Sequence, residues 1–84
     1  MKITFKLYAM LADHLPPDKR QGNAMTLDVE PGATIAQVTA PFQLPPKLVH
    51  LVLVNGHFIA PEARATHALQ EGDVLAIWPP IAGG

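Results

Sequence analysis

The sequence predicts an α+β fold, a mixed sheet with one main helix packed across one face. Three observations predict it. Apolar and polar residues alternate with period two near the N-terminus, one helical pattern lies between two hairpin-like pairs of strands, and the last strand is apolar at every position from Val74 to Trp78. A helix in that position makes the long crossover that a parallel pairing of the first and last strands requires, and such crossovers are right-handed. Covering one face of the sheet with that helix is the economical packing.

Each element follows from its own residues. Ile3, Phe5 and Leu7 alternate with Lys2, Thr4, Lys6 and Tyr8, which predicts a strand with one buried and one wet face. The stretch AMLADHLPPDKRQGN begins as a short helical turn and is then broken by Pro16, Pro17 and Gly22, so it is expected to be a loop. Met25, Leu27 and Val29 against Thr26, Asp28 and Glu30 give a second alternating strand, a natural antiparallel partner for the first. Pro31 and Gly32 end it, and Thr34 offers a hydroxyl as N-cap to IAQVTAPF. Ile35, Val38 and Phe42 share one helical face, but a proline inside a helix costs roughly 3 kcal/mol, so the regular part should end before Pro41 or kink there. Pro45 and Pro46 begin a further short turn.

The run VHLVLV from Val49 to Val54 is a strand, and Asn55-Gly56 directly after it is the strongest short hairpin signal because both residues accept positive φ. HFIA is expected to return as a short strand ended by Pro61, and ARATHALQEGD carries a brief helical turn into Gly72. DVLAIW, from Asp73 to Trp78, is apolar on both faces, with Val74, Ala76 and Trp78 on one and Leu75 and Ile77 on the other, and belongs at the centre of the sheet.

The totals exclude several classes of function. The 84 residues suffice for a single domain over 1–84, with a flexible C-terminal tail over 79–84. Apolar residues make up 49% and charged residues only 15%, so some apolar side chains must stay outside, and exposed apolar patches mark partner surfaces. A formal net charge of -1 supplies no basic footprint for nucleic acid. The absence of cysteine rules out disulfides, thiol catalysis and thiolate metal sites. The alternating start MKITFKLY lacks the unbroken apolar run of a signal peptide, and no stretch reaches transmembrane length, which points to the cytoplasm and to no membrane partner. His14, His50, His57 and His67 have no metal-ligand spacing, so no metal is expected, and without serine there is no Ser-His-Asp arrangement. Pro31-Gly32, Asn55-Gly56 and Gly72-Asp73 are turns with structural duties.

One segment is left over. WPPIAGG, from Trp78 to Gly84, places two prolines and then two glycines after a strand, and glycine loses the most freedom on ordering, so folding gains little from it. Together, VLVNGHFI and LQEGDVLAIWPPIAGG resemble the β-grasp proteins of the MoaD/ThiS-type ubiquitin-like sulfur-carrier family, and most of all the small subunits of molybdopterin synthase. The resemblance extends over nearly the whole chain in element order, with one departure: the helix is short and interrupted by Pro41, Pro45 and Pro46 where the family usually has a longer one.

The resemblance implies a chemistry in which the Gly84 carboxylate is adenylated with ATP by an adenylating enzyme of the ubiquitin-activating type. It is then converted by a sulfur donor to a thiocarboxylate, which gives its sulfur to a pterin precursor in the active site of the large catalytic subunit. On this reading the chain is a non-catalytic carrier subunit with no tightly bound cofactor, and ATP is used by the activating partner. The tail suits such a task. Pro79 and Pro80 cannot extend the sheet's hydrogen bonding and favour an extended course away from the body. Ile81, Ala82, Gly83 and Gly84 reach at most about 13 Å further, and the glycines have no side chain to obstruct a narrow channel. The second face of the sheet remains for the partner, with Leu75, Ile77, Trp78 and Phe58 as the expected interface. Other readings of the same residues are a sulfur carrier for the thiamine thiazole, a ubiquitin-like protein modifier and a β-grasp interaction module with an inert tail.

Overall fold

The computed structural model describes residues 1–80. Five strands form one sheet: β1 (Lys2–Leu7), β2 (Ala24–Asp28), β3 (Leu51–Val54), β4 (His57–Phe58) and β5 (Val74–Trp78), in the spatial order β2-β1-β5-β3-β4. β1 pairs antiparallel with β2 and parallel with β5, while β3 runs antiparallel to both β5 and β4. The strand that is apolar on both faces is therefore the central one. The one α-helix among the described residues, α1 (Ile35–Thr39), makes the crossover between the β1–β2 hairpin and the β3–β4 hairpin.

α1 is short for reasons written into its residues. Thr34 caps it, its Oγ1 accepting the Gln37 N–H at 3.2 Å while the Gln37 Oε1 accepts the Thr34 N–H at 2.9 Å, a reciprocal capping box. Pro41 brings no N–H to continue the ladder, so the chain tightens into a 3₁₀ turn over Ala40–Phe42 and stops at Gln43, whose φ is 52°. Phe42 still reaches the core, with its ring 4.7 Å from that of Phe5. The Asn55-Gly56 hairpin forms with φ of 52° and 82°, both in the left-handed region that this two-residue turn requires.

The core fills the space between the sheet and α1. Ile3, Phe5 and Leu7 of β1, Val52 of β3, and Leu75 and Ile77 of β5 are buried there with Ile35 and Val38 of α1. The segment after β1 contributes more than a loop usually does. It folds into a 3₁₀ helix over Ala9–His14 that sends Leu11 into the core, with Leu15 following, and Leu69 closes the far side. The second hairpin is smaller than its sequence suggests, since β3 starts at Leu51 and β4 is only His57–Phe58.

Two polar clusters hold the connections. At the start of β5 the Asp73 carboxylate, 9% exposed, accepts the Asn55 side-chain amide at 2.9 Å and the Gln70 N–H at 2.8 Å, while the Asn55 Oδ1 accepts the Val74 N–H at 2.8 Å. Arg64 donates from Nε to the Ile59 carbonyl, from Nη1 to that of Val49 and from Nη2 to that of His50, at 3.2–3.3 Å. Desolvation lowers the pKa of this guanidinium, and the neighbouring Glu62 opposes the shift.

Candidate functional site: the end of the central strand and the open face of the sheet

Because β1 and β5 are parallel neighbours, their C-terminal ends lie together at one end of the sheet. The last turn of backbone in β5 is held from both sides. Tyr8 N–H donates to the Ile77 carbonyl at 3.1 Å, and His50 N–H donates to the Trp78 carbonyl at 3.1 Å. Pro79 is buried against the body and Pro80 is exposed, so the compact domain extends one residue into the segment that the sequence assigns to the tail. Ile81, Ala82, Gly83 and Gly84 lie outside the described residues.

Side-chain parity along β5 corrects the expected interface. Leu75 and Ile77 are each 0% exposed and belong to the core beneath α1, so neither is available to a partner. The reason lies in the pairing: Phe5 stands beside Leu75 and Leu7 beside Ile77, and the large apolar residues of β1 fix which face is inside. Trp78 and Phe58 are the expected residues that do reach solvent, at 39% and 57% exposure.

These two do not stand alone. Phe58 pairs with Leu53, Leu53 with Ala76 and Leu51 with Trp78, which places all five on the face opposite α1. On the β1 side, the Tyr8 ring stacks on Trp78 with centroids 3.6 Å apart and planes 5° from parallel. An apolar surface thus runs from the tip of the β3–β4 hairpin to the end of β5, and on β1 it gives way to Lys6 and Thr4, which pair with Ala76 and Val74. Tyr8 lies on the face of β1 that the alternation predicts to be wet, whereas nothing in the run VHLVLV marks Leu51 and Leu53 as surface residues. The available signal was register: once β3 is taken as the antiparallel neighbour of β5, its residues facing Ala76 and Trp78 must share their face.

A broad depression in the described structure lies elsewhere. It is an open groove of about 1010 Å³ between β2 and α1, lined by Met1, Leu27, Val29, Val38 and Phe42 among others, at the opposite end of the sheet from Trp78. Asp28 stands on its rim, where the hydrogen bond from the Lys2 ammonium, and then its charge, hold the carboxyl below its ordinary value of 3.8. Among the described residues, no three His, Asp or Glu side chains come together to hold a metal ion, and no helix is long and apolar enough to cross a membrane.

Comparison with known proteins agrees with this arrangement. The model of the ThiS family matches residues 17–84, which takes in β2 to β5 and the terminal glycines, so the chain belongs to the ThiS family of ubiquitin-like sulfur carriers. Among solved structures it is similar to SAMP1 from Haloferax volcanii, with 25% identity, a TM-score of 0.66 and full coverage of both chains. It is also similar to the Haloferax volcanii HVO 2177 protein, with 22% identity and a TM-score of 0.74 over 100% of this chain and 87% of that one. A third similar structure is the complex of subunits 1 and 2 of the molybdopterin-converting factor from Helicobacter pylori 26695, with 18% identity, a TM-score of 0.62 and full coverage of both chains. These neighbours share the β-grasp fold of the present chain. A comparison with curated proteins gives no match.

Proposed function

We propose that this chain is the sulfur-carrying small subunit of a molybdopterin synthase, with Gly84 as the residue that carries the sulfur. The observation that supports it most is one of placement. The ThiS family match runs through Gly84, and the central strand, pinned on both sides up to Trp78, ends beside an apolar sheet face.

The chemistry balances without any catalytic group on this chain. The Gly84 carboxylate oxygen attacks the α-phosphorus of ATP on the activating enzyme and releases pyrophosphate, because a free carboxylate is too electron-rich to accept a nucleophile directly. Sulfide-level sulfur from a donor then attacks the mixed anhydride, AMP leaves, and the carbonyl carbon keeps the sulfur as a thiocarboxylate. In the large subunit the thiocarboxylate sulfur attacks a carbon of the pterin precursor and expels an oxygen leaving group from it, and water then cleaves the acyl–sulfur bond, which leaves the sulfur on the pterin and restores the carboxylate. The carrier contributes binding energy and placement. Its open face, with Leu51, Leu53, Phe58 and Trp78, supplies the apolar centre of a docking surface, and Lys6 lies on its polar rim.

The test is intact-mass measurement after co-expression with the activating enzyme. Exchange of one oxygen for sulfur at the C-terminus is expected, and an unchanged mass with enzyme, ATP and a sulfur source present refutes the assignment. Phe58→Asp should keep the fold, because the ring is already exposed, yet weaken binding to the large subunit by tenfold or more, on the order of a desolvated charge in an interface core. A second reading, a ubiquitin-like modifier joined to lysines of other proteins, draws support from the similarity to SAMP1, a small archaeal modifier protein. Higher-mass conjugates that disappear when Gly84 is deleted would favour it over the synthase.

A further inference from the structure

We propose that Tyr8 is a positioning residue for the carrier reaction: its stack on Trp78 fixes the direction in which the chain leaves the central strand. The inference rests on the carrier reading above and assigns a role to a side chain that the tail chemistry does not require.

Tyr8 is held more firmly than a strand-end residue usually is. Its N–H donates to the Ile77 carbonyl and its own carbonyl accepts the Leu11 N–H, each at 3.1 Å, and Leu11 is fully buried. The next residue, Ala9, takes φ of 52°, a left-handed conformation strained for alanine, which turns the chain sharply away just after the ring. Tyr8 is thus anchored to the core on one side and to β5 on the other. Its ring lies nearly parallel to that of Trp78 at 3.6 Å and fixes a side chain that would otherwise rotate freely on an exposed face.

Trp78 is the residue from which Pro79 departs. Proline fixes its own φ and restricts the residue before it, so the direction in which the chain leaves β5 depends on the orientation of Trp78 and on the seat of Pro79, which is buried beside it. A reacting carboxylate six residues further on gains rate only if it arrives near its target geometry, and a displacement of about 1 Å can cost roughly 10²-fold. Loosening the stack widens the range of exit directions without removing any reacting group. The expected signature is therefore a loss in turnover, with little change in how tightly the partner binds the body.

The experiment measures carrier-dependent pyrophosphate release with the full chain, its adenylating enzyme and ATP, at varied carrier concentration. Tyr8→Leu should lower kcat about three- to tenfold and leave the half-saturating concentration within about twofold, and Tyr8→Phe, which keeps the ring, should restore kcat. Emission anisotropy of Trp78, the only tryptophan, should fall in Tyr8→Leu and recover in Tyr8→Phe. Should Tyr8→Leu fail to fold, Tyr8→Met, which fills the same place without a ring to stack on Trp78, takes its place and is judged by the same split. An unchanged kcat, an effect confined to the half-saturating concentration, or failure of Tyr8→Phe to restore turnover overturns the inference. Deletion of Gly84 run in parallel separates the two readings. If deletion abolishes activation while Tyr8→Leu turns over normally, only the positioning role falls; if deletion leaves activation intact, the carrier reading itself falls.

Discussion

Replacing Asp73 by alanine should destabilise the domain by about 3 kcal/mol, although the residue lies at a turn and touches no predicted reacting group. The carboxylate accepts two hydrogen bonds, from the Asn55 amide at 2.9 Å and the Gln70 N–H at 2.8 Å. Hydrogen bonds to a charged acceptor contribute about 1.5–3 kcal/mol each, and water can reach these part-buried donors at the end of the sheet, so the lower figure applies to both. At about 4–8 °C per kcal/mol for a domain of this size, the melting temperature should fall by about 12–24 °C, read by calorimetry. Asp73→Asn should lose about half as much, because an amide offers one acceptor oxygen and turns a donor toward the other partner. Asn55→Gly preserves the positive φ of the hairpin while removing the amide, so a double-mutant cycle with Asp73→Ala should show a coupling of about 1–2 kcal/mol. A loss below about 1 kcal/mol for Asp73→Ala, or additive single mutants, would refute the view that this network joins the Asn55-Gly56 hairpin turn and the Gln70–Asp73 turn to the start of β5.

Arg64→Lys should cost about 2 kcal/mol, because a lysine ammonium cannot fork to the three carbonyls of Val49, His50 and Ile59. The urea midpoint should drop with an unchanged slope, and a midpoint equal to wild type would show that the fork contributes nothing. The Asp28 carboxyl, 3.4 Å from the Lys2 ammonium and fully exposed, titrates below 3.8 in the folded chain. A depressed folded pKa gives a contribution that is fully present above 3.8 and is lost as the pH falls through the lower folded value, so near neutrality the ion pair contributes in full and stability should not vary with pH through this group. Carboxyl NMR titration should show the Asp28 midpoint moving up in Lys2→Ala, and no movement would remove the ion pair from the account.

Much of the fold is legible because each strand declares its own type. The alternation of Ile3, Phe5 and Leu7, the Asn55-Gly56 turn and the doubly apolar Asp73–Trp78 segment are local signals, and they lead to the observed order with β5 at the centre. Thr34 is the expected cap, and its partner Gln37 stands three residues on, at the spacing of a capping box. What the residues could not disclose by themselves is parity on the central strand. With Val74, Ala76 and Trp78 on one side and Leu75 and Ile77 on the other, both faces are apolar, and hydrophobicity alone cannot choose between them. The choice is made by β1, whose only large apolar face carries Phe5 and Leu7 and must lie inward, drawing Leu75 and Ile77 with it. The same pairing brings Tyr8 onto Trp78, a contact between residues far apart in sequence that no local pattern encodes.

Parity also accounts for the composition. With only 15% charged residues, a domain of this size cannot cover its surface with ionic groups, and the open face of the sheet is one place where the shortage shows. β3 and β5 both carry apolar residues on the face away from α1, and Phe58 extends that surface across β4. The central strand is flanked by apolar neighbours on both faces for two separate reasons: Leu75 and Ile77 hold the fold, and Ala76 and Trp78 form the floor and edge of the open face. A strand that served stability alone would gain from polar residues at Leu51, Leu53 and Trp78, which would raise solubility and leave the core unchanged. Their apolar character is explained by a surface meant to be covered, and its position beside the exit of the central strand ties the docking of the body to the delivery of the residues that follow Pro80.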